Sequence, residues 1–360
     1  MHVISPELGI ALPGLSLICP DSHTCTLGGL GVLAWGVGST EAEHALATST
    51  LRVTRPQTMR VQFIGSMAEH VTAKDLILYT IRSLSASGGA GYAIEFAGPA
   101  IVALPVESRL TLCNMATELS AFTGLIAPDE QVIDYCQGRP FAPRGAAWEA
   151  AIRHWQTLQS DADAQFDSEH RIDIGSLKPQ LTWGTSPQHC IDWDEEIPGA
   201  GEAPDEATAA SWQQAQAYMG VTAGHRLSDY PLDAAFIGSC TNSRLSDLRD
   251  AASYLTQTGH RVAKGVKALC VPGSGRVKRA AEAEGIDAVF RQAGFEWREP
   301  GCSMCFFAGG ESLGEGVRVA STTNRNFQGR QGLGVRTHLG SPLSVVASAC
   351  AGHLLADMTP

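Results

Sequence analysis

From Asp233 onward the chain alternates short apolar runs with amphipathic stretches, and this alternation constrains the fold more than any other feature. Ala234 to Ser239 reads as a strand, and Leu245, Leu248, Ala252 and Leu255 mark one helix face. Val266 to Val271 is a second strand, which Pro272-Gly273-Ser274-Gly275 turns into a helix through Glu284, with Gly285 as C-cap. Phe295 to Trp297 and Val317 to Ser321 are further strands, each running into a polar turn. Such alternation predicts α/β architecture, a parallel sheet with helices on both faces. Ligands of these sheets bind at the carboxyl ends of strands. Cys240, Ser274, the Cys302/Cys305 pair and the Asn324-Arg325 dipeptide all follow a predicted strand, so one sheet edge should gather them.

Three of these residues share a chemistry. Cys240 lies in Gly238-Ser239-Cys240-Thr241-Asn242-Ser243, and Cys302 and Cys305 form a Cys-x-x-Cys pair after Pro300-Gly301. A closed structural zinc site uses four ligands, and an ordinary [4Fe–4S] cluster four cysteines. Three thiolates brought to one point would leave one iron open to a substrate oxygen, where it could act as a Lewis acid. Three buried structural cysteines are the plainer alternative, and spacing alone leaves both open. Cys19, Cys25, Cys113, Cys136, Cys190, Cys270 and Cys350 have no mutual ligand spacing and read as ordinary thiols. Met304, Trp35 and Trp297 read as core.

Arg325, Arg330 and Arg336 stand among Asn324, Asn326 and Gln328. Guanidinium groups bind carboxylates bidentately, so beside an open iron these arginines predict a small polycarboxylate substrate. A solvated surface loop is the alternative. The net charge of -11 argues against nucleic acid as a partner. Ten cysteines in 360 residues are too sparse for a disulfide scaffold. Without a signal peptide they read as reduced thiols of a cytoplasmic protein. No apolar run approaches the ~18 residues of a membrane helix.

The first half carries weaker signals. Residues 8–19 read as a turn and a short buried strand, followed by the polar Asp21-Ser22-His23. An orienting carboxylate beside an imidazole and a capped turn both fit that tripeptide. Glycines at 28, 29, 31, 36 and 38 permit tight turns and close backbone approach, but neither G-x-G-x-x-G nor Walker A spacing is present. Thr40-Glu41-Ala42-Glu43 reads as a capping box opening a helix to about Ser49. A boundary is expected near 54–58, a strand over Met59–Ile64, a helix over Ala73–Leu84 and a strand over Tyr92–Phe96. Residues 107–125 read as one helical stretch, with Asn114 and Glu118 on one face. The Pro-, Gly- and acid-rich residues 183–230 read largely as linker, with a helix at 205–218.

Seven stretches then point one way. CPDSHTCT at 19–26, GVGSTEAEHALATSTL at 36–51, TLCNMATE at 111–118 and FIGSCTNSR at 236–244 resemble segments of the aconitase superfamily, specifically the large subunits of its dehydratase branch. VPGSG at 271–275, FEWREPGCSMC at 295–305 and STTNRNFQGRQG at 321–332 continue the series in the family's order. The resemblance implies an aconitase-like fold, three-layer α/β/α domains with parallel-type sheets around a central iron–sulfur cluster cleft. The implied divisions are 1–57 (remainder of domain 1), 58–185 (domain 2), 186–230 (linker) and 231–360 (domain 3, with the cluster ligands).

It further implies that Cys240, Cys302 and Cys305 ligate one [4Fe–4S] cluster with one iron not ligated by protein, supported by Asn242 and Asn324. His2, Asp21, His23 and Glu118 would be catalytic, paired as His2 with Asp21 and His23 with Glu118. Asn114, Asn324, Arg325 and Arg330 would bind substrate. The implied chemistry is a stereospecific hydro-lyase reaction, dehydration followed by rehydration at the neighbouring carbon. It would isomerise 2-isopropylmalate and 3-isopropylmalate through isopropylmaleate in leucine biosynthesis. Homoaconitate, citraconate, methylmalate or another substituted malate are alternative substrates, and a non-catalytic, truncated cluster-binding relative is an alternative role.

The family's serine base and another substrate arginine lie on a swivelling domain, so a small-subunit partner carrying that domain is expected. The family also has an upstream Asp-His-Asn motif, carrying an acid for the leaving hydroxyl, with no counterpart here; a mis-called start, a fragment, supply by another polypeptide and an inactive protein are the alternatives. Two smaller departures are Leu27, where relatives carry a polar residue, and Phe306 to Ser312, where they carry an Asn-containing sequence.

Overall fold

A computed structural model describes residues 1–307 and 311–355. By internal contacts the chain forms two compact units, Met1–Ala68 with Leu84–Ser176, and Glu69–Ser83 with Leu177–Pro360. The division by sequence resemblance follows a different criterion.

The first unit begins with α1 (Ile4–Leu8), β1 (Ser16–Cys19), β2 (Leu33–Gly36) and α2 (Ser39–Thr48). β1 and β2 pair in parallel as a two-stranded sheet. Between them, Ser22–Leu30 winds as a 3₁₀ run. Glycine is required there, because a Cβ on Gly28 would sit 1.7 Å from the Gly124 carbonyl oxygen. Leu27 is fully buried in a core with Leu30, Val32 and Leu110, so it is a packing residue. The cap of α2 falls two residues before the expected Thr40: Gly38 N–H donates to Glu41 at 2.8 Å. None of the residues of α2 is buried.

β3 (Gln57–Ile64) follows, then α3 (Ala73–Leu84), most of which belongs to the second unit. β4 (Tyr92–Ala97), α4 (Pro99–Ala103), α5 (Val106–Asn114), β5 (Thr123–Leu125), α6 (Glu130–Cys136), α7 (Ala146–Trp155) and β6 (Ser168–Asp173) complete the first unit. Its larger sheet runs β5-β4-β3-β6, all parallel. β3 alternates buried and half-buried residues, the period-2 pattern read from Met59 to Ile64. The single helix expected over 107–125 is corrected. α5 ends at Asn114, Met115–Leu119 tightens into a 3₁₀ turn, and Ser120 with φ 61° redirects the chain into β5. Gly124, whose Cβ would lie 2.7 Å from that of Ala116, lets the strand pass close to the turn it follows. Arg109, fully buried on α5, forms a bidentate pair with Asp129 at 2.8 and 2.6 Å and also donates to the Val102 and Leu104 carbonyls.

The second unit contains β7 (Gln180–Thr182) and β8 (Cys190–Asp192), an antiparallel pair, and α8 (Glu206–Met219). The stretch read largely as linker also holds β8, with Cys190, Ile191 and Ile197 buried, and α8 falls where a helix was expected at 205–218. β9 (Ala234–Ile237), α9 (Leu245–Thr258), β10 (Lys267–Cys270), α10 (Gly275–Ala283), α11 (Ile286–Ala293), β11 (Glu296–Trp297), β12 (Arg318–Ser321), β13 (Arg336–Leu339) and α12 (Pro342–Ala351) follow. The sheet order is β11-β10-β9-β12-β13, every pairing parallel, as the alternation predicts. Parallel sheets are buried on both faces, which matches the entirely buried β9 and β12. Gly285 does not cap α10 but opens α11 with φ 75°. Among the described residues no helix is long and apolar enough to cross a membrane.

Candidate active site

In the first unit, Asp21 sits at the end of β1 and caps the 3₁₀ run, its carboxylate accepting from His23 N–H at 2.8 Å. That cap sets the direction of the His23 ring. His23 Nε2 lies 2.9 Å from Glu118 Oε1, and Nδ1 lies 3.6 Å from Asp21 Oδ1. His2 Nε2 lies 3.2 Å from the same Asp21 oxygen. The two imidazoles meet edge to face with centroids 6.5 Å apart. Both histidines are buried, whereas the Asp21 side chain is 46 % exposed. Hydrogen bonds from His2, then His23, hold the Asp21 carboxyl well below the usual carboxylate range. Asn114, fully buried, donates to Thr26 Oγ1 at 2.7 Å, and Thr26 donates to the His23 carbonyl at 2.5 Å. All four acid–base residues expected from sequence therefore meet, with Asn114 behind them. The α-helical spacing used to link Asn114 with Glu118 is not what places them, since the chain changes helix type between the two. A cavity of about 620 Å³ opens beside Asp21 and Ser22, lined also by Trp35, Arg52 and Phe122.

In the second unit, the turn after β9 presents Cys240. Gly238 accommodates no side chain, because a Cβ would lie 2.4 Å from the Phe236 ring, and Ser239 takes φ 82°. Such backbone persists only where surroundings hold it. Arg244, buried, donates to the Thr241 and Cys240 carbonyls, both at 2.8 Å. Ser243 Oγ donates to the Ser239 carbonyl at 2.9 Å. Asn242, expected to support the cysteine, donates to Asp247 at 2.9 Å and so braces the start of α9. After β11, Cys302 and Cys305 flank a 3₁₀ turn in which Ser303 takes φ 41°. Met304 is buried among Phe236, Leu269 and Val319, and its carbonyl accepts from Gln331 at 2.6 Å, anchoring the turn.

The sulfurs have donors of their own. Asn324 Nδ2 lies 3.7 Å from Cys240 Sγ and Arg330 lies 3.6 Å from Cys305 Sγ, while Cys305 Sγ itself donates to Ser239 Oγ at 3.4 Å. Burial pushes the Cys305 thiol up, and the charges of Cys240 and then Cys302 add to that, so all three thiols lie in one electrostatic neighbourhood. Arg325 is half-buried in the next position after Asn324, while Arg336 lies on β13 and donates to the Tyr218 carbonyl at 3.3 Å, outside the loop cluster. Ser274, the other strand-end residue, is the cap of α10. Ala308 to Gly310, within the departing Phe306–Ser312 stretch, lie outside the described residues. Sequence reading missed Thr26, Lys74, Ser239, Arg244 and Thr322. Thr26, Ser239, Arg244 and Thr322 lie inside the motif stretches CPDSHTCT, FIGSCTNSR and STTNRNFQGRQG, which were the available signal; Lys74 lies outside all of them.

The family described as Aconitase family (aconitate hydratase) matches residues 1–352. The chain belongs to the aconitase family. The large subunit 1 of 3-isopropylmalate dehydratase from Bradyrhizobium diazoefficiens is 54% identical over 352 residues, 98% of this chain and 73% of that protein. The crystal structure of Thermococcus kodakaraensis aconitase X (holo-form) aligns with TM-score 0.47 and 12% identity, covering 90% of this chain and 66% of that one.

Membership of the aconitase family implies an iron–sulfur cluster, and the second unit can be tested against it. Among the described residues no three His, Cys, Asp or Glu side chains gather around one point as a single ion requires. A cluster does not ask for it, because each cysteine binds a different iron atom. Donors aimed at two sulfurs and strained backbone beside both cysteine motifs describe a cradle for thiolates, so the residues fit the group.

Proposed function

We propose that this chain is the cluster-bearing large subunit of a hydro-lyase that interconverts 2-isopropylmalate and 3-isopropylmalate through isopropylmaleate, a step of leucine biosynthesis. The observation that carries the reading is the thiol cradle of Cys240, Cys302 and Cys305 with Asn324 and Arg330 at their sulfurs, in a chain 54% identical to the named dehydratase subunit. A [4Fe–4S] cluster held there, with one iron not ligated by protein, supplies Lewis acidity toward a substrate hydroxyl without redox change.

The chain's own residues do the rest. Arg325 and Arg330 hold substrate carboxylates, which confines the charge that develops when the neighbouring carbon loses its proton. Arg330 contacts Cys305 through one guanidinium nitrogen, and in this reading it takes the substrate carboxylate through another. Asn324 orients Cys240, and Asn114 fixes the Thr26–His23 backbone. His23, with Glu118 on one ring nitrogen and Asp21 near the other, can take up and return a proton at Nε2 or Nδ1. His2 holds the shared Asp21 carboxylate.

In this reading residues 1–57, 58–185 and 231–360 are the counterparts of the family's three domains, joined by 186–230. A small subunit carrying the swivelling domain completes the enzyme as a heterodimer. Its setting is cytoplasmic, which suits ten free cysteines.

The test is anaerobic. The chain is reconstituted with iron and sulfide, mildly oxidised and examined by EPR, then combined with a leucine-pathway small subunit and assayed with 3-isopropylmalate. A [3Fe–4S] signal with turnover is expected. Turnover of citraconate in preference to isopropylmalate would reassign the substrate. Absence of any cluster signal would remove the functional reading.

A further inference from the structure

Lys74 is one of the few charged side chains fully removed from solvent. It stands in the first turn of α3, within the second unit. Its ammonium donates to the Thr323 carbonyl at 2.6 Å and the Thr322 carbonyl at 3.1 Å. Those carbonyls belong to the two residues immediately before Asn324 and Arg325. Thr322 is itself a junction. Its hydroxyl accepts from Gly238 N–H at 2.9 Å and lies 2.8 Å from the Gly238 carbonyl and 3.2 Å from that of Asn242. Lys74 thus grips the segment that ties the end of β12 to the Cys240 turn.

The same ammonium has a second relation to the site. Burial pushes it down to about 7, against the opposing pull of Cys305, Asp247, Asp75 and Cys240, in that order. Two of those four neighbours are proposed cluster ligands. Helix packing alone does not call for a lysine here, since a buried ammonium gives up its hydration, a loss that an apolar side chain of similar volume would avoid. Asp75 beside it is accounted for by local structure, accepting from Thr72 N–H and Gln180 N–H, both at 2.8 Å. Two backbone acceptors and two thiolate neighbours account for Lys74.

We infer that Lys74 is a positioning residue for the iron–sulfur site: its ammonium fixes the Thr322–Thr323 backbone from which Asn324 and Arg325 project, and adds positive charge to the neighbourhood of Cys240 and Cys305. The inference rests on the cluster reading above. It gives a role to a residue that touches neither substrate nor cluster, acting through charge and through two carbonyls.

The test compares wild type with Lys74→Met, Lys74→Gln and Lys74→Arg, each as the full chain reconstituted anaerobically. The readouts are the cluster's midpoint potential and the rate at which its visible absorption decays under a chelator. Circular dichroism checks the fold. Lys74→Met should load a cluster whose potential moves to more negative values and whose decay is about 10- to 100-fold faster, the usual scale for loss of an outer support. Lys74→Arg, which keeps the charge, should return the potential toward wild type. Lys74→Gln keeps a donor without the charge, so it should slow the decay but leave the potential shifted. It also carries the test if Lys74→Met does not fold. Wild-type potential and decay in the uncharged variants would overturn the inference while leaving the cluster reading intact. A wild-type chain that takes up no cluster would overturn both.

Discussion

The histidine–carboxylate group of the first unit and the thiol group of the second are assembled on opposite plans. In the first, the functional atoms hold one another: His23 meets Glu118 at 2.9 Å, and His2 meets Asp21 at 3.2 Å. In the second, neighbours hold the functional atoms. Asn324, Arg330 and Ser239 reach the sulfurs, while Arg244, Gln331 and Thr322 fix the backbone that carries them. The difference follows from the chemistry each plan serves. A proton passes only between groups already in contact, so those groups must be preassembled. Thiolates that bind separate iron atoms need a backbone held in register rather than contact with each other.

The comparison breaks first at the cysteines. Cys302→Ser should abolish the visible absorption of the reconstituted chain, because the proposed ligand Cys302 is exposed and not a packing residue. An unchanged band in that variant would remove the ligand assignment. Next in size is the other plan. His23→Asn should lower turnover about 10²- to 10⁴-fold, the usual contribution of a positioned acid or base, with the cluster absorption unchanged. Loss of absorption together with turnover would mean that the two groups are not separable.

Arg325→Lys comes third. Replacing a planar fork by a point charge loses a bidentate contact, on the order of 1.5–3 kcal/mol for a charged hydrogen bond. KM for 3-isopropylmalate should rise about 10- to 100-fold with the cluster spectrum intact, and unchanged kinetics would take Arg325 out of the substrate site. The smallest effect sharpens the first plan alone. The Asp21 carboxyl is held below its usual range by His2 and His23, so its contribution to stability is complete above the unfolded value of about 3.9 and is lost as pH falls below it. Asp21→Asn should be less stable than wild type near pH 7, with the gap closing toward about pH 2 in thermal unfolding. A gap that stays constant across that range would show that the imidazoles do not bias this carboxyl.

Much of the second unit was legible in the sequence because its strands announce themselves. Ala234–Ile237 and Arg318–Ser321 are short apolar runs, each followed by a turn with a chemical purpose. β13 and α12 were missed although Arg336–Leu339 and Pro342–Ala351 are as regular, because the arginines nearby drew the reading toward a binding loop. Arg336 in fact serves the α8 side of the sheet. The cysteines, Asn324 and the histidine–carboxylate pairs were legible through motifs and resemblance. Lys74 was not, since a lysine at the start of an amphipathic helix looks like any solvated one until the segment after β12 meets it. The 3₁₀ turn at Met115–Leu119 escaped for a similar reason: its composition favours helix, and only the approach of β5 tightens it.

Every strand of the five-stranded sheet points the same way, and this has a practical side. The turns that follow the strands are committed, so a label or inserted peptide placed there would disturb the site. The opposite rim carries connections such as residues 259–265, between α9 and β10, where Gly259, His260, Arg261, Lys264 and Gly265 are exposed. Exposed connections of this sort accept insertions best. A fluorophore, a purification tag or a surface tether belongs on that rim, at the far end of the strands from the cysteines.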